Sequence, residues 1–328
     1  MSETKSQGVG TPAALPLGRG ESPEGSMSEA KSQRVGTPAA LPLGRGESPE
    51  GSRSETKSQG VGTPAALPLG RGESPEGSTS ETNRRLDGKR CLITGGSRGL
   101  GLAIAKACAR QGAKIAFTFS SNRDDASAAK ASLVELGCEP LVFQGSVADA
   151  AHVKETVAEL VKAWDGIDVL VNNAGTTQIL PIALLEEADW DTVMNVNVKG
   201  AYLYSRAVLR SMIRARGGHI LNIGSFASER VIEAPVHYAA AKSALRGLTE
   251  ALAREVGRYN IKVNLLSPGL LDVGLAQMLP KHRITEYLSQ ASLGRLGTAR
   301  EVAEIAAFLV SDDNSFMAAA KIVADGGL

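Results

Sequence analysis

Thr94-Gly95-Gly96-Ser97-Arg98-Gly99-Leu100-Gly101 is the stretch on which the reading of this chain turns. It follows a short apolar run, Cys91-Leu92-Ile93, and opens an apolar-periodic segment over residues 102–111. That order is strand, tight turn, helix. Glycines permit backbone conformations that a side chain forbids, and they let a ligand approach the main chain closely. The helix behind them offers unpaired N–H groups and a positive dipole end, which suit a pyrophosphate. The spacing is G-x-x-x-G-x-G, not the G-x-G-x-x-G of the usual dinucleotide fingerprint. Alone, the turn reads equally as a plain glycine loop, so the rest of the chain has to decide.

Outward from the turn, β-rich runs recur at residues 90–94, 114–119, 140–144, 168–172, 219–223, 262–267 and 321–324. Helical patterns separate most of them, at 100–111, 125–136, 149–164, 190–216, 238–256 and 299–310. Within 238–256 the set Ala241, Leu245, Leu248, Leu252, Val256 keeps helical spacing, and Gly257 is the expected left-handed stop. The central strands are apolar on both faces, as a buried parallel sheet requires. The expected fold class is α/β: one Rossmann-type doubly wound parallel sheet of about seven strands, helices on both faces, and ligands at the carboxyl ends of the strands.

The chain has 328 residues, a length that by itself favours two domains. Its first 85 residues argue otherwise. Residues 1–26, 27–52 and 53–78 are three copies of one 26-residue unit, differing only at Met1/Met27/Arg53, Thr4/Ala30/Thr56 and Gly8/Arg34/Gly60. The unit has no aromatic residue, and Pro16 breaks its one apolar cluster, Ala13-Ala14-Leu15-Pro16-Leu17. Such a composition buries too little to offset the entropy of ordering. Residues 1–85 are therefore expected to be a disordered repeat tail, and 86–328 a single globular domain. No basic region leads into an apolar one, as a signal peptide would need.

Charge is balanced, at +1 net, with no Lys/Arg cluster to mark nucleic acid as the partner. No run of 18 apolar residues is present to span a membrane. The three cysteines, Cys91, Cys108 and Cys138, are odd in number and lack C-x-x-C spacing, which argues for a reducing, cytoplasmic setting and against a metal site.

A dinucleotide fold that prefers NAD places an acid about twenty residues past the glycine turn. Here the second strand ends Phe117-Thr118-Phe119-Ser120-Ser121-Asn122-Arg123, with no acid at its tip. Arg98 and Arg123 instead suit a 2′-phosphate, which argues for NADPH/NADP+. Asn172-Asn173-Ala174-Gly175 closes the fourth strand, and alone would be an ordinary Asn-rich turn.

Tyr238 and Lys242 stand at i,i+4 on one helix face, and Ser225 lies just past the fifth strand at the same sheet edge. An ammonium near a phenol lowers its pKa from ~10, so the phenol donates a proton near neutral pH. Ser225 is placed to hold a developing oxyanion.

With these residues in view, 86–328 resembles the short-chain dehydrogenase/reductase family over its full length. The matching motifs are the glycine turn 94–101, Asn172–Gly175, Asn197 in Val196-Asn197-Val198, Ser225, Tyr238-x-x-x-Lys242 and Pro268-Gly269. Tyr238-Ala-Ala-Ala-Lys242, Leu293-Gly-Arg-Leu-Gly297 and Asp325-Gly-Gly327 resemble the 3-oxoacyl-acyl-carrier-protein reductases in particular. The resemblance implies a Tyr238 acid tuned by Lys242, a carbonyl oriented by Ser225, and an Asn197 that holds a water in a proton relay to Lys242. It places cofactor contacts at Gly95, Ser97, Arg98, Gly99, Leu100 and Gly101. Others fall at Ser120, Asn122, Arg123, Ser146 and Val147, then at Asn173, Ala174, Gly175, Pro268, Gly269 and Leu271, with Tyr238 and Lys242 on the ribose. It also implies a homotetramer and, of the basic residues offered to an acyl carrier protein, Arg216; the second such position falls on Tyr259, with Arg258 beside it.

The chain departs from that pattern in three further places. Ser146 stands where an Asp usually faces the adenine, Val273 replaces a Thr, and Pro235 sits where a Gln is usual. A 3-oxoacyl thioester is the leading substrate. A free alcohol, sugar or polyketide ketone, a scaffold without turnover, and a partner-binding repeat tail remain as alternatives.

Overall fold

The computed structural model describes residues 84–328; the repeat tail lies, up to residue 83, outside the described residues. Seven strands form one sheet: β1 (Arg90–Ile93), β2 (Lys114–Phe119), β3 (Leu141–Gln144), β4 (Val169–Asn172), β5 (Gly218–Ile223), β6 (Ile261–Pro268) and β7 (Lys321–Ala324). They lie in the order β3-β2-β1-β4-β5-β6-β7, and each neighbouring pair is parallel. The expected doubly wound α/β sheet is what forms.

Helices cover both faces because successive strand residues point to opposite sides. Cys91 and Ile93 of β1 face the cluster built with α1 (Gly99–Arg110), α2 (Arg123–Val134) and α8 (Ala299–Leu309). Leu92 faces the other cluster, with α3 (Ala150–Trp164), α5 (Gly200–Ala215) and α6 (Val236–Val256). Leu86 is fully buried in the first cluster, so the packed domain begins within two residues of the first one described. At the strand entries, Arg90 grips Asp168 through Nε (2.7 Å) and a second guanidinium nitrogen (2.6 Å). Burial would raise the Asp168 carboxyl, but the Arg90 bonds outweigh it and hold it below its ordinary value.

Chain order runs outward from β1 to β3, then returns through α3 to the far side of β1. The β1/β4 boundary is therefore the topological switch point, where loops part and leave a crevice.

Three local expectations need correction. The helix read over 190–216 is interrupted: α4 (Glu187–Met194) passes through a π-helical turn, Asn195–Lys199, before α5 begins. One extra residue per turn, invisible to apolar periodicity, rotates Asn197 inward. Gly257 is not the left-handed stop. It is helical (φ −56) and starts a 3-10 turn, Gly257–Tyr259, which Asn260 ends at φ 59. Asparagine tolerates that region because its side chain bonds locally. Finally, α7 (Lys281–Gln290) has no counterpart in the sequence reading, although Ile284, Tyr287 and Leu288 keep helical spacing; only Tyr287 is buried.

The Gly257 correction has a measurable consequence. A Cβ there meets nothing within 4 Å and the backbone is already helical. Gly257→Ala should therefore raise unfolding free energy by about 0.5–1 kcal/mol in a denaturant titration. A loss of about 1 kcal/mol or more would mean a left-handed residue after all.

Candidate active site

The crevice at the switch point is a cleft of about 990 Å³ along the carboxyl ends of the strands. Its first half is a backbone cradle. Thr94 Oγ1 accepts from the N–H groups of Asn173 and Ala174, both at 3.0 Å. Asn173 Nδ2 in turn donates to the carbonyls of Thr94 (3.0 Å) and Gly95 (3.1 Å). The loops after β1 and β4 are thus tied together. Gly95 (φ +66) and Gly99 (φ +55) take left-handed turns that a side chain resists. Gly101 is required for a different reason: a Cβ there would lie 2.2 Å from the Gly95 carbonyl oxygen. Arg98, the N-cap of α1, makes no side-chain cap, and no acid sits in the first turn. The helix end therefore keeps its free N–H groups and positive dipole. That chemistry fits a dinucleotide pyrophosphate.

The second half carries the reactive side chains. Lys242 is 4% exposed, and its Nζ donates to the Ile223 carbonyl at 2.8 Å. It stands 5.7 Å from the centre of the Tyr238 ring, one helical turn back on α6. Tyr238 is enclosed by protein on most sides but half-exposed where it opens onto the cleft. Ser225, 5% exposed, lies on the first residue past Gly224 at the end of β5. Asn197 is 1% exposed; its Nδ2 donates to the carbonyls of Thr176 (2.8 Å) and Val193 (2.9 Å). Its Oδ1 is buried without a hydrogen-bond partner. A Cβ built on Gly175 would lie 2.7 Å from that oxygen and 3.4 Å from Lys242 Nζ. A free acceptor and a free donor thus converge on one small space beside Tyr238.

A family model described as enoyl-(acyl carrier protein) reductase matches residues 95–328. The 3-oxoacyl-[acyl-carrier-protein] reductase of Thermotoga maritima is 37% identical over 245 residues, covering 74% of this chain and 99% of that protein. Its counterpart in Escherichia coli K12 is 35% identical over 243 residues, covering 74% and 98%. Among solved structures, a short-chain dehydrogenase/reductase from Serratia marcescens aligns with a TM-score of 0.70 at 34% identity, over 74% of this chain and 98% of that one. The chain belongs to the short-chain dehydrogenase/reductase family. It is an oxidoreductase acting on CH–OH and C=O groups.

In this dehydrogenase/reductase most of the expected cofactor residues do line the cleft. These are Gly95, Ser97, Arg98, Gly99, Leu100 and Gly101, with Ser120, Ser146, Val147, Asn173, Ala174 and Gly175, and then Pro268, Gly269 and Leu271. Asn122 and Arg123 do not. Asn122 accepts the Asp125 N–H (3.1 Å) as the N-cap of α2, and Arg123 Nε donates to Gln144 Oε1 (3.0 Å). Arg98 is largely exposed, with Asp125 3.6 Å away, an acid that the sequence reading had not connected to it. Arg216 and Arg258 are placed at the opposite edge of the sheet. They end α5 and follow α6, just ahead of the starts of β5 and β6.

The sequence also gave no sign of a buried polar ladder under the site. Asn172 Nδ2 donates to Ser205 Oγ (3.0 Å) and Asn222 Oδ1 (2.8 Å), and Asn222 Nδ2 to Thr249 Oγ1 (2.8 Å). Single polar residues in otherwise apolar surroundings, Asn172 on β4, Asn222 on β5 and Thr249 on α6, have no spacing that marks them as a ladder. Among the described residues no group of three or more His, Cys, Asp or Glu gathers as a metal site, and no helix is long and apolar enough to cross a membrane.

The phenol is not lowered as expected. Burial pushes Tyr238 above its ordinary value of 10, and the Ser225 hydroxyl draws it only partly back. The larger effect falls on Lys242, whose ammonium drops from 10.5 to about 8 because burial strips its water. That sets a pH test. A folded pKa below the unfolded one means the cost of burying the ammonium is complete below pH 8 and fades as pH rises from about 8 to 10.5. Relative to Lys242→Met, the natural protein should gain up to about 3 kcal/mol of stability across that window. Parallel stability curves for the two proteins would exclude a desolvated ammonium.

Proposed function

We propose that this enzyme reduces a ketone to a secondary alcohol with NADPH, and that the ketone is a 3-oxoacyl thioester in fatty acid or polyketide-type metabolism. The observation that carries it is the convergence of Ser225, Tyr238, Lys242 and the unpartnered Asn197 Oδ1 at the mouth of a glycine cradle. The names of the relatives in Thermotoga maritima and Escherichia coli support the thioester. The nicotinamide supplies the hydride, and the protein supplies position and charge. Ser225 Oγ and the Tyr238 hydroxyl orient the carbonyl oxygen. As negative charge grows on that oxygen, the phenol gives it a proton. The Lys242 ammonium, short of water and still protonated at neutral pH, steadies the phenolate that remains. Asn197 Oδ1 and Lys242 Nζ, which face the same space beside Gly175, would hold a water between them that passes a proton back toward Tyr238 by way of Lys242. For the cofactor, Arg98 at the cleft edge and the acid-free tip of β2 favour a 2′-phosphate.

The family description names an enoyl reductase. A proton donor aimed at oxygen favours carbonyl reduction instead. A second reading, a free small ketone, is favoured by Arg216 and Arg258. Their place at the edge opposite the cleft keeps a carrier bound there away from the same protomer's active site. We further propose a cytoplasmic homotetramer, with exposed Tyr202 on α5 and Phe316 before β7 on the contact faces.

NADPH consumption against 3-oxoacyl thioesters, free ketones and enoyl thioesters tests the reading. The 3-oxoacyl thioester should be the best substrate, and kcat/KM should favour NADPH over NADH by roughly tenfold or more, the worth of one charged phosphate contact. Tyr238→Phe should cut turnover by about 10²-fold or more while sparing NADPH binding, because the phenol's proton matters only in the transition state. Activity of Tyr238→Phe within about threefold of the natural enzyme would overturn the catalytic assignment.

A further inference from the structure

Strand β7 and the C-terminal turn never line the cleft among the described residues, yet Asp325-Gly-Gly327 was singled out by sequence and has no part in the chemistry above. What they touch is the segment that carries Ser225. Beyond β5 the chain hooks through a 3-10 turn, Phe226–Ser228, and then presents two neighbouring charges of opposite sign, Glu229 and Arg230. Each meets its complement on the far edge of the sheet. Glu229 Oε2 is 2.7 Å from Lys321 Nζ on β7, close as an ion pair though angled away from hydrogen-bond geometry. Arg230 Nε donates to Asp325 Oδ2 at 3.1 Å. In both pairs the acid is inside and the cation at the surface. The Glu229 and Asp325 side chains are 3% and 5% exposed, against 37% for Lys321 and 42% for Arg230.

The two acids are also held by other groups. Ser267 Oγ on β6 donates to Glu229 Oε1 (3.2 Å), and Ser267 lies directly under Gly224, where a Cβ would come within 2.4 Å of its hydroxyl. Asp325 Oδ1 accepts from the Gly327 N–H (3.0 Å), so the C-terminal turn folds around it. The Asp325 carbonyl accepts the Tyr287 hydroxyl (2.6 Å), and that ring packs edge-on against Phe226 with centroids 5.4 Å apart. Within the hook, Ser228 Oγ donates to the Ser225 carbonyl at 2.7 Å. The hook is thus pinned at both ends and from below.

We propose that Glu229–Lys321 and Arg230–Asp325 form a two-point clasp that positions Ser225 and Phe226, so that the C-terminal strand sets the pose of the ketone without touching it. The crossed polarity matters. A shift of the hook by one residue would set like charges against each other at one point (Arg230 on Lys321, or Glu229 on Asp325) and leave the other charge facing uncharged Val231 or Ser228, so the clasp fixes register as well as distance. Glu229, Arg230, Lys321 and Asp325 are positioning residues, and the proposal rests on the carbonyl-reductase reading only where it invokes Ser225's role.

The test uses the full chain with Lys321→Gln, Arg230→Gln and both together. Lys321→Arg and Arg230→Lys serve as conservative controls. Three quantities are read: kcat and KM for the best ketone, NADPH affinity by fluorescence, and amide hydrogen exchange across residues 224–230 in the cofactor-free protein. The double variant should lose kcat by about tenfold or more and exchange faster over that segment, with NADPH affinity within about twofold. The controls should recover most of the activity. If the double variant does not fold, the single variants should show the same pattern to a smaller degree. Unchanged exchange at 224–230 would overturn the clasp, and so would faster exchange with unchanged kcat. Cofactor affinity falling in step with kcat would show a general structural role and overturn it too. Should the natural enzyme reduce no ketone, the function reading fails while the exchange measurement still decides the clasp.

Discussion

The site depends on one interlock. Thr94 and Asn173, on loops from adjacent strands that are far apart in sequence, satisfy each other's backbone through four hydrogen bonds of 3.0–3.1 Å. Loops that part at a topological switch point would otherwise leave buried carbonyls and N–H groups unpaired, at a cost of about 1–3 kcal/mol each. With the loops tied, the glycine turn has one shape, α1 begins at a fixed point, and its uncapped N-terminus faces the cleft. Gly101 packs onto the same knot, since its missing Cβ is what lets α1 approach Gly95 and Asn173.

The reactive half follows from burial. Lys242 reaches its place only by giving up water, and the Ile223 carbonyl is a partial replacement. A buried ammonium is costly, which is why its pKa falls, and the same lack of water strengthens its effect on any negative charge that forms nearby. In the proposed reaction Tyr238, whose phenol burial alone raises, therefore depends on Lys242 at the moment of proton transfer rather than before it. The π-helical turn is part of the same arrangement: it buries Asn197 beside Gly175, on the side that Lys242 also faces, while leaving one carbonyl-type acceptor unsatisfied. The ladder through Asn172, Asn222 and Thr249 fixes the floor beneath, and with Ser205 it occupies positions where an apolar core would be expected.

The remaining lining of the cleft mixes two kinds of surface: Phe226 and Met278 are apolar, and Thr176, Thr177 and Thr192 carry hydroxyls. The arginines that a resemblance would offer to a carrier stand at the opposite sheet edge. Distance within one protomer, rather than residue identity, is what separates the thioester reading from the free-ketone reading.

By itself the sequence determined the seven strands along the chain, the doubly wound class, the glycine turn, and the candidacy of Ser225, Tyr238 and Lys242. Those are local signals: period, glycine spacing, and residues that share one helix face or one sheet edge. Only the tertiary structure decided which polar side chains were free. Asn122 and Arg123 look like cofactor ligands in sequence, yet one caps α2 and the other bonds Gln144. Asn197 reads as one residue of a continuous helix until a π turn buries it beside Gly175. The pKa of Lys242, the Thr94–Asn173 knot and the pairing of Glu229 and Arg230 with β7 all depend on neighbours brought together by the sheet. Burial and long-range hydrogen bonding have no period along the chain, so no pattern in the sequence announces them.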